Sequence, residues 1–511
     1  MSGSSTDAAS SPPRPKKNVA KSGLFLTAAK VYFILIGLAQ QIALKHVLGL
    51  GGYGAYSTAS SVNSITYNPL NQTSILGVSR ETAHGSSDER AAIFRQLLKF
   101  HGLISGVVAL AFAALATPIA SRLGAPHVAT PLLVLSAVIL GYGFYTPMIG
   151  YLNGQHRFGA QAALDVTAAT LRTIGLIAGA YWGGVVGATL GFAVTAIVMV
   201  VITSQVSGTG FSSKSQFSLS IYLKFFGPLL AGQVLLNLLF QADSLLLRRF
   251  AATAAQSAGL LPTAADPYVG AYRAAQLFCF LPYQLLMSIT FILFPLLAGS
   301  WKKNDLEKAK EYISTGTRLA VLIAGLLVTG LVSNPEKLIT LVYGGDAAHL
   351  AQQAMSILAV GLGFFSVLGV ITSALNSIGG EKDALLVIGS STIMVALFCF
   401  FGVSRTDLSV ELLSTTAMAT SSALVAGTLL SIGLLYRRAG RTLSLITLLK
   451  VILAASCAIL ISQQFAKLGL NFYLDIAARA FVGTVVYFFF LGLVRELNRE
   501  DLQALRSLFR S

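Results

Sequence analysis

The stretch DPYVGAYRAAQLFCFLPYQLLMSITFILFPLL, residues 266–297, decides the fold of this chain. A membrane-spanning helix needs roughly 20 consecutive apolar residues, so the stretch is predicted to be one long transmembrane helix. Arg273 lies about two turns from its start, and an arginine at the centre of a membrane helix costs about 2.5–3.5 kcal/mol on insertion scales. A charge retained in such a place predicts a functional site. Pro282 lies mid-helix and predicts either a hinge or a static kink.

The start of this stretch has an earlier counterpart. Residues 53–62 read YGAYSTASSV and residues 269–278 read VGAYRAAQLF, with matches at an offset of 216. The matching residues are Gly54, Ala55, Tyr56 and Ala59 in the first segment and Gly270, Ala271, Tyr272 and Ala275 in the second. A weaker match relates Leu152-Asn153 to Leu375-Asn376. Both matches fall at corresponding places, so we predict two related halves; chance similarity in a chain rich in Ala and Gly is the alternative.

The composition predicts a helical membrane protein. Of the 511 residues, 54% are hydrophobic and 11% are charged, whereas soluble domains contain about 25% charged residues. About fourteen apolar runs are long enough to span a membrane. The predicted spans are 24–48, 55–78, 98–119, 129–152, 161–181, 184–206, 221–247, 268–298, 311–333, 353–378, 383–403, 411–436, 443–466 and 471–494. The connecting loops are short, so function is expected within or beside the helices.

The distribution of Lys and Arg predicts the orientation of these helices. With the amino terminus in the cytoplasm, the cytoplasmic segments carry about three times as many Lys and Arg as the opposite loops, as the positive-inside rule requires. Both termini are therefore predicted to be cytoplasmic. A shift of six spans preserves orientation, so the halves are predicted to be related by a pseudo-two-fold axis along the membrane normal. The predicted fold class is an all-α polytopic membrane protein with two six-helix lobes and two further C-terminal helices.

The predicted spans divide the chain into five segments. They are a disordered cytoplasmic tail over 1–22, an N-lobe over 23–207, a C-lobe over 219–438, the two added helices over 442–495 and an amphipathic cytoplasmic tail over 496–511. A signal peptide is the alternative for the amino terminus, but no obvious cleavage site follows and the next apolar run is long. The last tail is expected to lie on the inner membrane surface or to be a solvated helical end.

Several function classes are excluded at this point. The net charge of +16 fits the positive-inside rule, and without a soluble basic domain no nucleic-acid partner is expected. The three cysteines and six histidines lack metal-ligand spacing, so neither a metal nor a cofactor is expected. Residues 49–54, GLGGYG, match a dinucleotide-binding pattern, but no strand precedes them, and a tight turn is predicted instead. No acid–base pair stands in a loop, so the chain is not predicted to be an enzyme.

Charged residues inside the predicted spans are candidates for substrate binding and coupling. Lys30 on helix 1 and Arg273 on helix 8 have no partner nearby in sequence, and two cations from opposite halves can clamp a diphosphate. Asp165 and Arg172 lie on one face of helix 5, and they either pair with each other or face the cavity. Asp243 lies near the end of helix 7. Asp165 and Asp243 are the candidates for coupling the cycle to protons or cations.

Amide side chains extend the candidate site. Gln233 and Asn237 recur at helical spacing on helix 7, and Asn68 belongs to the very polar helix 2. Hydrocarbon offers amides no hydrogen-bond partners, so these helices are not expected to face lipid. The amides either line a sugar-compatible cavity or bind neighbouring helices. We prefer the cavity, because the repeat places helices 1, 2, 7 and 8 centrally.

Three segments resemble those of polysaccharide-biosynthesis flippases. They are LGLGGYGAYSTASS at 48–61, QADSLLLRRF at 241–250 and VGAYRAAQLFCFLPYQLLMSITFILFPLLAG at 269–299. The chain thus resembles the oligosaccharidyl-lipid flippase branch of the multidrug/oligosaccharidyl-lipid/polysaccharide (MOP) exporter superfamily. The resemblance implies a V-shaped pair of lobes around a cationic cavity. It also implies transfer of an undecaprenyl-pyrophosphate-linked oligosaccharide from the cytoplasmic to the periplasmic leaflet of the bacterial inner membrane.

The resemblance implies site residues and partners as well. In related lipid II flippases, cations on helices 1 and 8 line the cavity, and Lys30 and Arg273 occupy comparable places. Two extra helices form a lipid-tail groove there, and a similar groove is expected here. The implied partners are the lipid-linked oligosaccharide, membrane lipids and a polysaccharide polymerase or export complex. A lipid II flippase and a multidrug or cation antiporter are the alternatives, of which the intramembrane cations disfavour the antiporter.

Overall fold

The structure is a computed structural model that describes the backbone of residues 16–208, 217–440 and 443–496. Side chains are described from residue 32 onward within these ranges, except at positions 288, 289, 291, 292, 466 and 467. Of the predicted amphipathic tail, only residue 496 is described. The first helix begins at Lys16, inside the segment predicted to be a disordered tail. Pro15 directly precedes it, and proline is favoured at helix starts.

Within the described residues the chain forms fourteen α-helices and no strand. They are α1 (Lys16–Glu81), α2 (Ser87–Arg122), α3 (Ala129–Gly154), α4 (Phe158–Ser207), α5 (Leu219–Ser257), α6 (Asp266–Cys279), α7 (Leu281–Lys302), α8 (Leu306–Ser333), α9 (Pro335–Tyr343), α10 (Gly345–Ser377), α11 (Glu381–Val403), α12 (Val410–Ala439), α13 (Leu445–Gln464) and α14 (Phe472–Leu493). The predicted all-α class is therefore confirmed.

Helices α1 and α4 each make two membrane crossings. At about 1.5 Å per residue, the 50 residues of α4 would extend about 75 Å if straight, which is more than twice the hydrocarbon thickness of about 30 Å. The backbone leaves helical geometry at Gly49 in α1, where φ is 70°, and at Gly183 and Gly184 in α4. Glycine adopts a positive φ at little cost. The turn predicted between the first two spans therefore forms at Gly49.

The stretch 266–297 forms two helices, so the prediction of one continuous helix was wrong. Helix α6 ends at Cys279 and α7 begins at Leu281, with Pro282 in its first turn. Proline has no N–H to donate, and its ring clashes with the carbonyl oxygen four residues earlier. The break therefore falls beside Pro282, where the sequence predicted a hinge or a static kink. Helix α9 has nine residues and lies in a segment that was predicted to be a loop. Nine residues are too few to span a membrane, so hydropathy gave no sign of this helix.

The number of crossings agrees with the prediction. Eleven helices of the described chain are long and apolar enough to cross a membrane. Two of these, α1 and α4, cross twice, and α6 together with α7 makes one further crossing, which gives fourteen. We call the end of the bundle that carries the Gly49 turn the Gly49 end. The opposite end, where α1 starts and α14 finishes, is called the tail end.

The two lobes meet along α1 and α6, at the repeated segment. A Cβ atom on Gly54 would lie 1.9 Å from the carbonyl oxygen of Asp266, and one on Gly270 would lie 2.4 Å from that of Leu50. Asp266 precedes Gly270 by the same four residues that separate Leu50 from Gly54. Reciprocal contacts of this kind are what a two-fold axis produces. The predicted repeat is therefore structural, and chance similarity does not explain it.

The two added helices, α13 and α14, attach to the C-lobe through α8. The Tyr487 hydroxyl donates to the carbonyl oxygen of Leu322 at 2.7 Å, and Ser462 donates to Ser333 at 2.8 Å. Both contacts are buried, and apolar side chains of the three helices pack around them. The C-terminal pair of crossings is thus an extension of the C-lobe, outside the two-fold repeat.

The chain after α14 is held against α8 and α13 by Glu496. Its carboxylate accepts hydrogen bonds from Arg318 at 3.1 Å, Lys450 at 3.0 Å and Thr447 at 3.0 Å. Burial alone would raise the pKa of Glu496. The hydrogen bonds from Lys450, Arg318 and Thr447 outweigh burial, so this pKa lies below the usual value for glutamate.

The hydrogen bonds of Glu496 make the stability of the protein depend on pH in the acidic range. A carboxyl whose pKa is lowered by folding contributes stability that is present above its unfolded-state pKa, about 4.3, and is lost as the pH falls through the lower folded-state value. We expect Glu496→Gln to lower the melting temperature at neutral pH, and the difference from wild type to shrink below about pH 4. Melting temperatures of the purified protein in detergent check this, with the exposed Glu381→Gln as control. A difference that stays constant with pH would contradict it.

Candidate functional site

Hydrogen-bond donors surround the carboxylate of Asp243 where α5, α6 and α12 meet. Oδ2 accepts from the Tyr272 hydroxyl at 2.8 Å, the Gln276 amide at 2.8 Å and the Thr420 hydroxyl at 3.3 Å. Oδ1 accepts from the backbone N–H of Ser244 at 2.7 Å. Asp243 is 2% exposed, and a carboxylate buried without such partners would cost several kcal/mol. Among the described residues, no three His, Cys, Asp or Glu side chains cluster as metal ligands.

Arg273 is half-buried on α6 and is joined to Asp243 through Gln276. Its Nη1 donates to the side-chain oxygen of Gln276 at 3.2 Å, while the amide nitrogen of Gln276 donates to Asp243. No carboxylate in the described part of the chain forms an ion pair with this guanidinium. A guanidinium has five N–H donors, so most of them are left for another acceptor. Arg273 is thus a cation inside the bundle that can receive an anion.

Arg172 on α4 is the second candidate cation. Its guanidinium carbon lies 5.3 Å from the ring centroid of Phe33 and 6.0 Å from that of Phe192, which is within cation–π range. Its Nε is buried and has no hydrogen-bond partner among the described residues. Arg172 and Arg273 both lie near Tyr56 of α1. Two of the predicted substrate-binding cations therefore face the same region, one from each lobe.

The three predicted sugar-binding amides lie together across the boundary between the lobes. Asn68 of α1 donates from Nδ2 to Oδ1 of Asn237 on α5 at 3.1 Å. Asn237 in turn donates to the backbone carbonyl oxygen of Gln233 at 2.9 Å. In this conformation Asn68 and Asn237 hold the lobes together.

The remaining predicted site residues are Asp165 and Lys30. Asp165 lies on α4, close to Tyr145 of α3. Lys30 belongs to α1, but its side chain lies outside the described residues. A diphosphate clamp made by Lys30 and Arg273 therefore stays a prediction.

A buried cluster of charges joins the lobes at the Gly49 end. Arg248 of α5 is 0% exposed, and its Nη2 donates to the carbonyl oxygen of Gly124 in the N-lobe at 2.9 Å. The same nitrogen donates to the carbonyl oxygen of Pro262 at 3.2 Å. Nη1 lies 2.9 Å from Oδ1 of Asp266, and Oδ2 of Asp266 lies 3.0 Å from Nε2 of His127 in the N-lobe. We call Arg248, Asp266 and His127 the charge latch.

Sequence analysis did not single out Arg248, because it predicted that helix 7 ends at residue 247. That boundary put the arginine in a loop, where it counted only toward orientation. Helix α5 continues to Ser257. The segment AATAAQS at 251–257 contains alanines, the best helix formers, and no Gly or Pro. This composition was the signal that could have placed Arg248 inside the helix.

A second ion pair joins the lobes at the same end. Nζ of Lys45 on α1 lies 2.8 Å from Oδ1 of Asp346, at the start of α10. Nearby, the rings of Tyr53 and Tyr343 have centroids 6.1 Å apart. Lys45 is buried while the Asp346 carboxylate is half exposed, so this pair lies at the edge of the interface.

The lobes also touch at the tail end. Nε2 of His101 on α2 lies 2.7 Å from the hydroxyl oxygen of Tyr222 on α5, and both side chains are buried. The guanidinium carbon of Arg80 on α1 lies 4.2 Å from the ring centroid of Phe225 on α5. The open V shape expected from the family resemblance is therefore not the observed conformation. Contacts close both ends, with Asp243 and Arg273 between them.

An apolar cavity of about 130 Å³ lies among α8, α10 and α13. Its lining includes Val321, Val328, Gly363, Val367, Val451 and Ile459. Ser456 is among the few polar residues that line it. A cavity so apolar accepts a hydrocarbon chain and excludes sugars or phosphates. The first of the two added helices thus contributes to a hydrophobic binding surface.

Comparison with protein families gives a match that covers more than half of the chain. The family is described as polysaccharide biosynthesis protein, and its model matches residues 47–352. The match includes the central residues on α1, α4, α5 and α6. No curated protein sequence matches the chain.

Three solved structures illustrate the similarity of the fold. The lipid II flippase MurJ in an inward closed conformation has a TM-score of 0.75 at 16% identity, covering 93% of this chain and 99% of that chain. A multidrug resistance MATE family transporter of the MOP superfamily, in an inward-facing conformation, has a TM-score of 0.63 at 16% identity, covering 82% and 98%. A MOP superfamily transporter from Pyrococcus furiosus with reverse polarity of its binding pocket has a TM-score of 0.58 at 15% identity, covering 84% and 96%. These identities establish the shared fold alone.

Proposed function

The chain belongs to the polysaccharide biosynthesis protein family, and from this premise we propose that it flips an undecaprenyl-pyrophosphate-linked oligosaccharide from the cytoplasmic to the periplasmic leaflet. Its fold is that of MOP-superfamily transporters, which supports transport by alternating access over catalysis. The proposed location is the bacterial inner membrane, with both termini in the cytoplasm. The proposed lobes are residues 23–207 and 219–438, followed by the added helices over 442–495.

The observation that carries the proposal is the guanidinium of Arg273 between the lobes, which forms no ion pair with a carboxylate among the described residues. Arg273 donates a hydrogen bond to the neutral amide of Gln276, and Arg172 packs on aromatic rings. Both arginines lie near Tyr56. A guanidinium stays charged when desolvated, and its planar fork of donors matches phosphate oxygens. A diphosphate bound between the two arginines would supply the missing negative charge. Lys30 is proposed to join them from the first crossing.

The sugars and the lipid tail of the substrate are assigned to regions of the protein that match their polarity. Once the lobes separate, the amides of Asn68, Asn237 and Gln233 are proposed to bind the sugars, since amides both donate and accept hydrogen bonds. The apolar cavity among α8, α10 and α13 is proposed to hold part of the lipid tail. A polysaccharide polymerase or export complex is the proposed downstream partner, because the flipped glycan needs further assembly outside.

Energy coupling is proposed to act through Asp243 or Asp165. Each carboxylate lies inside the bundle, where a change of charge alters the balance between conformations. Asp243 is the stronger candidate, because a hydrogen-bonded chain through Gln276 connects it to Arg273. The coupling particle is either a proton or another cation.

A lipid II flippase is the second candidate function, and one observation favours it. The similarity to MurJ extends over 93% of this chain, whereas the similarity to the multidrug transporter covers 82%. The phosphate chemistry would be the same in both cases. A multidrug or cation antiporter is disfavoured, because two half-buried arginines would repel a cationic drug.

The test is genetic and targets Arg273. The gene is deleted in its host and restored as wild type, Arg273→Ala or Arg273→Lys, and membrane insertion of each protein is verified. A hydrogen bond to a charged group contributes about 1.5–3 kcal/mol, so alanine is expected to reduce flipping about 10- to 100-fold. Lysine retains the charge without the planar fork, and an intermediate rate is expected. The readout is lipid-linked glycan trapped on the inner leaflet, together with surface polysaccharide.

The control for this experiment is Arg437→Ala, which removes an exposed arginine at the end of α12. It is expected to flip at the wild-type rate. Normal flipping by Arg273→Ala would remove Arg273 from the mechanism. If the deletion traps no oligosaccharide intermediate but arrests peptidoglycan precursors, the lipid II alternative replaces the proposed function.

A further inference from the structure

Gln276 has a fixed orientation between Asp243 and Arg273. Its amide nitrogen donates to Oδ2 of Asp243 at 2.8 Å, and its oxygen accepts from Nη1 of Arg273 at 3.2 Å and from the Ser244 hydroxyl at 3.0 Å. Gln276 is 2% exposed, so no solvent replaces these partners. An arginine can only donate and an ionised carboxylate can only accept. The amide therefore satisfies both neighbours in one orientation and neither in the reverse one.

The site also dictates where a proton on Asp243 would reside. Oδ1 faces the backbone N–H of Ser244, which can only donate, so this oxygen must remain an acceptor. A proton taken up by the carboxyl group must therefore sit on Oδ2. Oδ2 faces two hydroxyl groups, those of Tyr272 and Thr420, and each can rotate to accept. The titratable and charged groups that face Asp243 are Tyr272 and Arg273 from α6 and Cys399 from α11.

Gln276 responds differently from those hydroxyl groups. When the proton on Oδ2 is donated to Gln276, the amide accepts it by turning its oxygen toward Asp243. The turn brings the amide nitrogen to face Ser244, whose hydroxyl can accept, and Arg273, which cannot. Of all the groups in this cluster, Arg273 alone loses its bond. A change at Asp243 thereby becomes a change in how firmly Arg273 is held.

We propose that Gln276 is a positioning residue that transmits the state of Asp243 to Arg273, so that the anion affinity of Arg273 depends on Asp243. The inference rests on the proposed function, in which Arg273 binds the diphosphate. With Asp243 ionised, Arg273 is held in one orientation, and a preorganised donor binds its ligand more tightly. With Asp243 neutral, the guanidinium is released. If Gln276 served only in packing, the anion affinity of Arg273 would not depend on Asp243.

A double-mutant cycle separates the two roles. Asp243→Asn imitates the neutral state, since its single oxygen must face the Ser244 N–H and its NH₂ group then takes the place of Oδ2. Gln276→Met keeps the length of the side chain and removes all three of its hydrogen bonds. The measurement is the dissociation constant for inorganic pyrophosphate, determined by calorimetry on purified protein with and without each substitution. Coupling between sites is typically 5- to 150-fold, and we expect a value near the lower limit, about 5- to 10-fold.

The effect of Asp243→Asn on pyrophosphate affinity is expected to have opposite signs with Gln276 and with Gln276→Met. With Gln276 present, Asp243→Asn should weaken pyrophosphate binding, because release of Arg273 outweighs the loss of a nearby negative charge. With Gln276→Met, only the loss of that charge remains, so Asp243→Asn should leave binding unchanged or tighten it. Factors that agree within about twofold in both backgrounds would overturn the inference, since that is the ordinary limit of additivity. The exposed Gln353→Met is the control and should reproduce the wild-type factor.

Failure of the proposed function gives a different result. If pyrophosphate does not bind, or binds Arg273→Ala as tightly as wild type, then the assignment of Arg273 as an anion-binding residue is wrong, independently of the role of Gln276. The inference is then read from melting temperatures, which need no ligand. The shifts caused by Asp243→Asn and Arg273→Met should be non-additive with Gln276 present and additive with Gln276→Met. Additive shifts in both backgrounds would overturn it.

Discussion

Gly54→Ala is expected to separate the two lobes at the Gly49 end. The added methyl group would lie 1.9 Å from the carbonyl oxygen of Asp266, which belongs to the backbone and cannot rotate away. Helix α6 must therefore move away from α1. Overpacking of this kind costs about 1–3 kcal/mol, and each 1.4 kcal/mol changes a population tenfold. The closed arrangement of this end should lose most of its population. Gly270→Ala, at the equivalent position, should act in the same direction.

The separation can be measured as a distance between the lobes. Spin labels on cysteines at the exposed positions Trp182 and Asp407 report it, because both positions lie in turns at the Gly49 end, one in each lobe. Cys457, which is only half-buried, is first replaced by serine. Gly54→Ala should shift the distance distribution to larger values. The control is Gly51→Ala, whose methyl group would meet Pro267 at an ordinary 3.8 Å.

Two results would count against the symmetric contact. Identical distance distributions for Gly54→Ala and wild type would mean that the lobes do not rely on it. An equal shift by Gly51→Ala would mean that any added methyl group on this part of α1 disturbs the bundle.

The sequence predicted the contact between the lobes because the repeat left matching residues at the axis. Gly54 and Gly270 recur at one offset, and each permits the close approach of the other segment. Residues near a two-fold axis meet their own counterparts, so the same selection acts on both copies. This is why a short match of sequence located a contact in three dimensions. The fourteen crossings were predicted for a similar reason, since a span has a fixed length and a fixed polarity.

The pairing of individual polar side chains could not be predicted. Asn68 and Asn237 both carried the signal of polar residues inside a span, but their mutual hydrogen bond depends on how the lobes pack. Each was assigned to a sugar-compatible cavity in preference to helix contacts, because the repeat places helices 1, 2, 7 and 8 centrally. In the same way, Gln276 lies three residues after Arg273, so a common helix face could be predicted. Its bond to Asp243 depends on the contact between α5 and α6.

The limits of the helices were predicted poorly where a helix continues beyond the membrane. The hydropathy of a run reports only the part in contact with hydrocarbon, so α5 was ended at residue 247 and α10 was begun at residue 353. The observed limits are Ser257 and Gly345. The additional turns carry the polar contacts between the lobes, including those of Arg248 and Asp346. The closing contacts of the Gly49 end were therefore absent from the predicted site.

Arg248→Met is expected to open the Gly49 end through the charge latch. Methionine removes the charge and leaves the Asp266 carboxylate buried, with the His127 ring as its remaining side-chain partner among the described residues. The carbonyl oxygens of Gly124 and Pro262 also lose their donor. Breaking a buried ion pair by removing one partner costs about 3–5 kcal/mol, because the remaining charge stays desolvated. Separation of the lobes lets water reach Asp266, so the closed state bears this cost and the open state does not.

The same pair of spin labels tests this expectation, and the chain provides a matched control. Arg249 is the next residue on α5 and is exposed, so Arg249→Met removes an equal charge without touching the latch. The distance distribution should shift for Arg248→Met and stay unchanged for Arg249→Met. Adding Asp266→Asn to Arg248→Met removes the buried carboxylate that has lost its arginine partner. The double variant should return part of the population to the spin-label distance of the closed state. If the double variant opens as far as the single one, then the lost backbone hydrogen bonds govern this end, and the latch is not electrostatic.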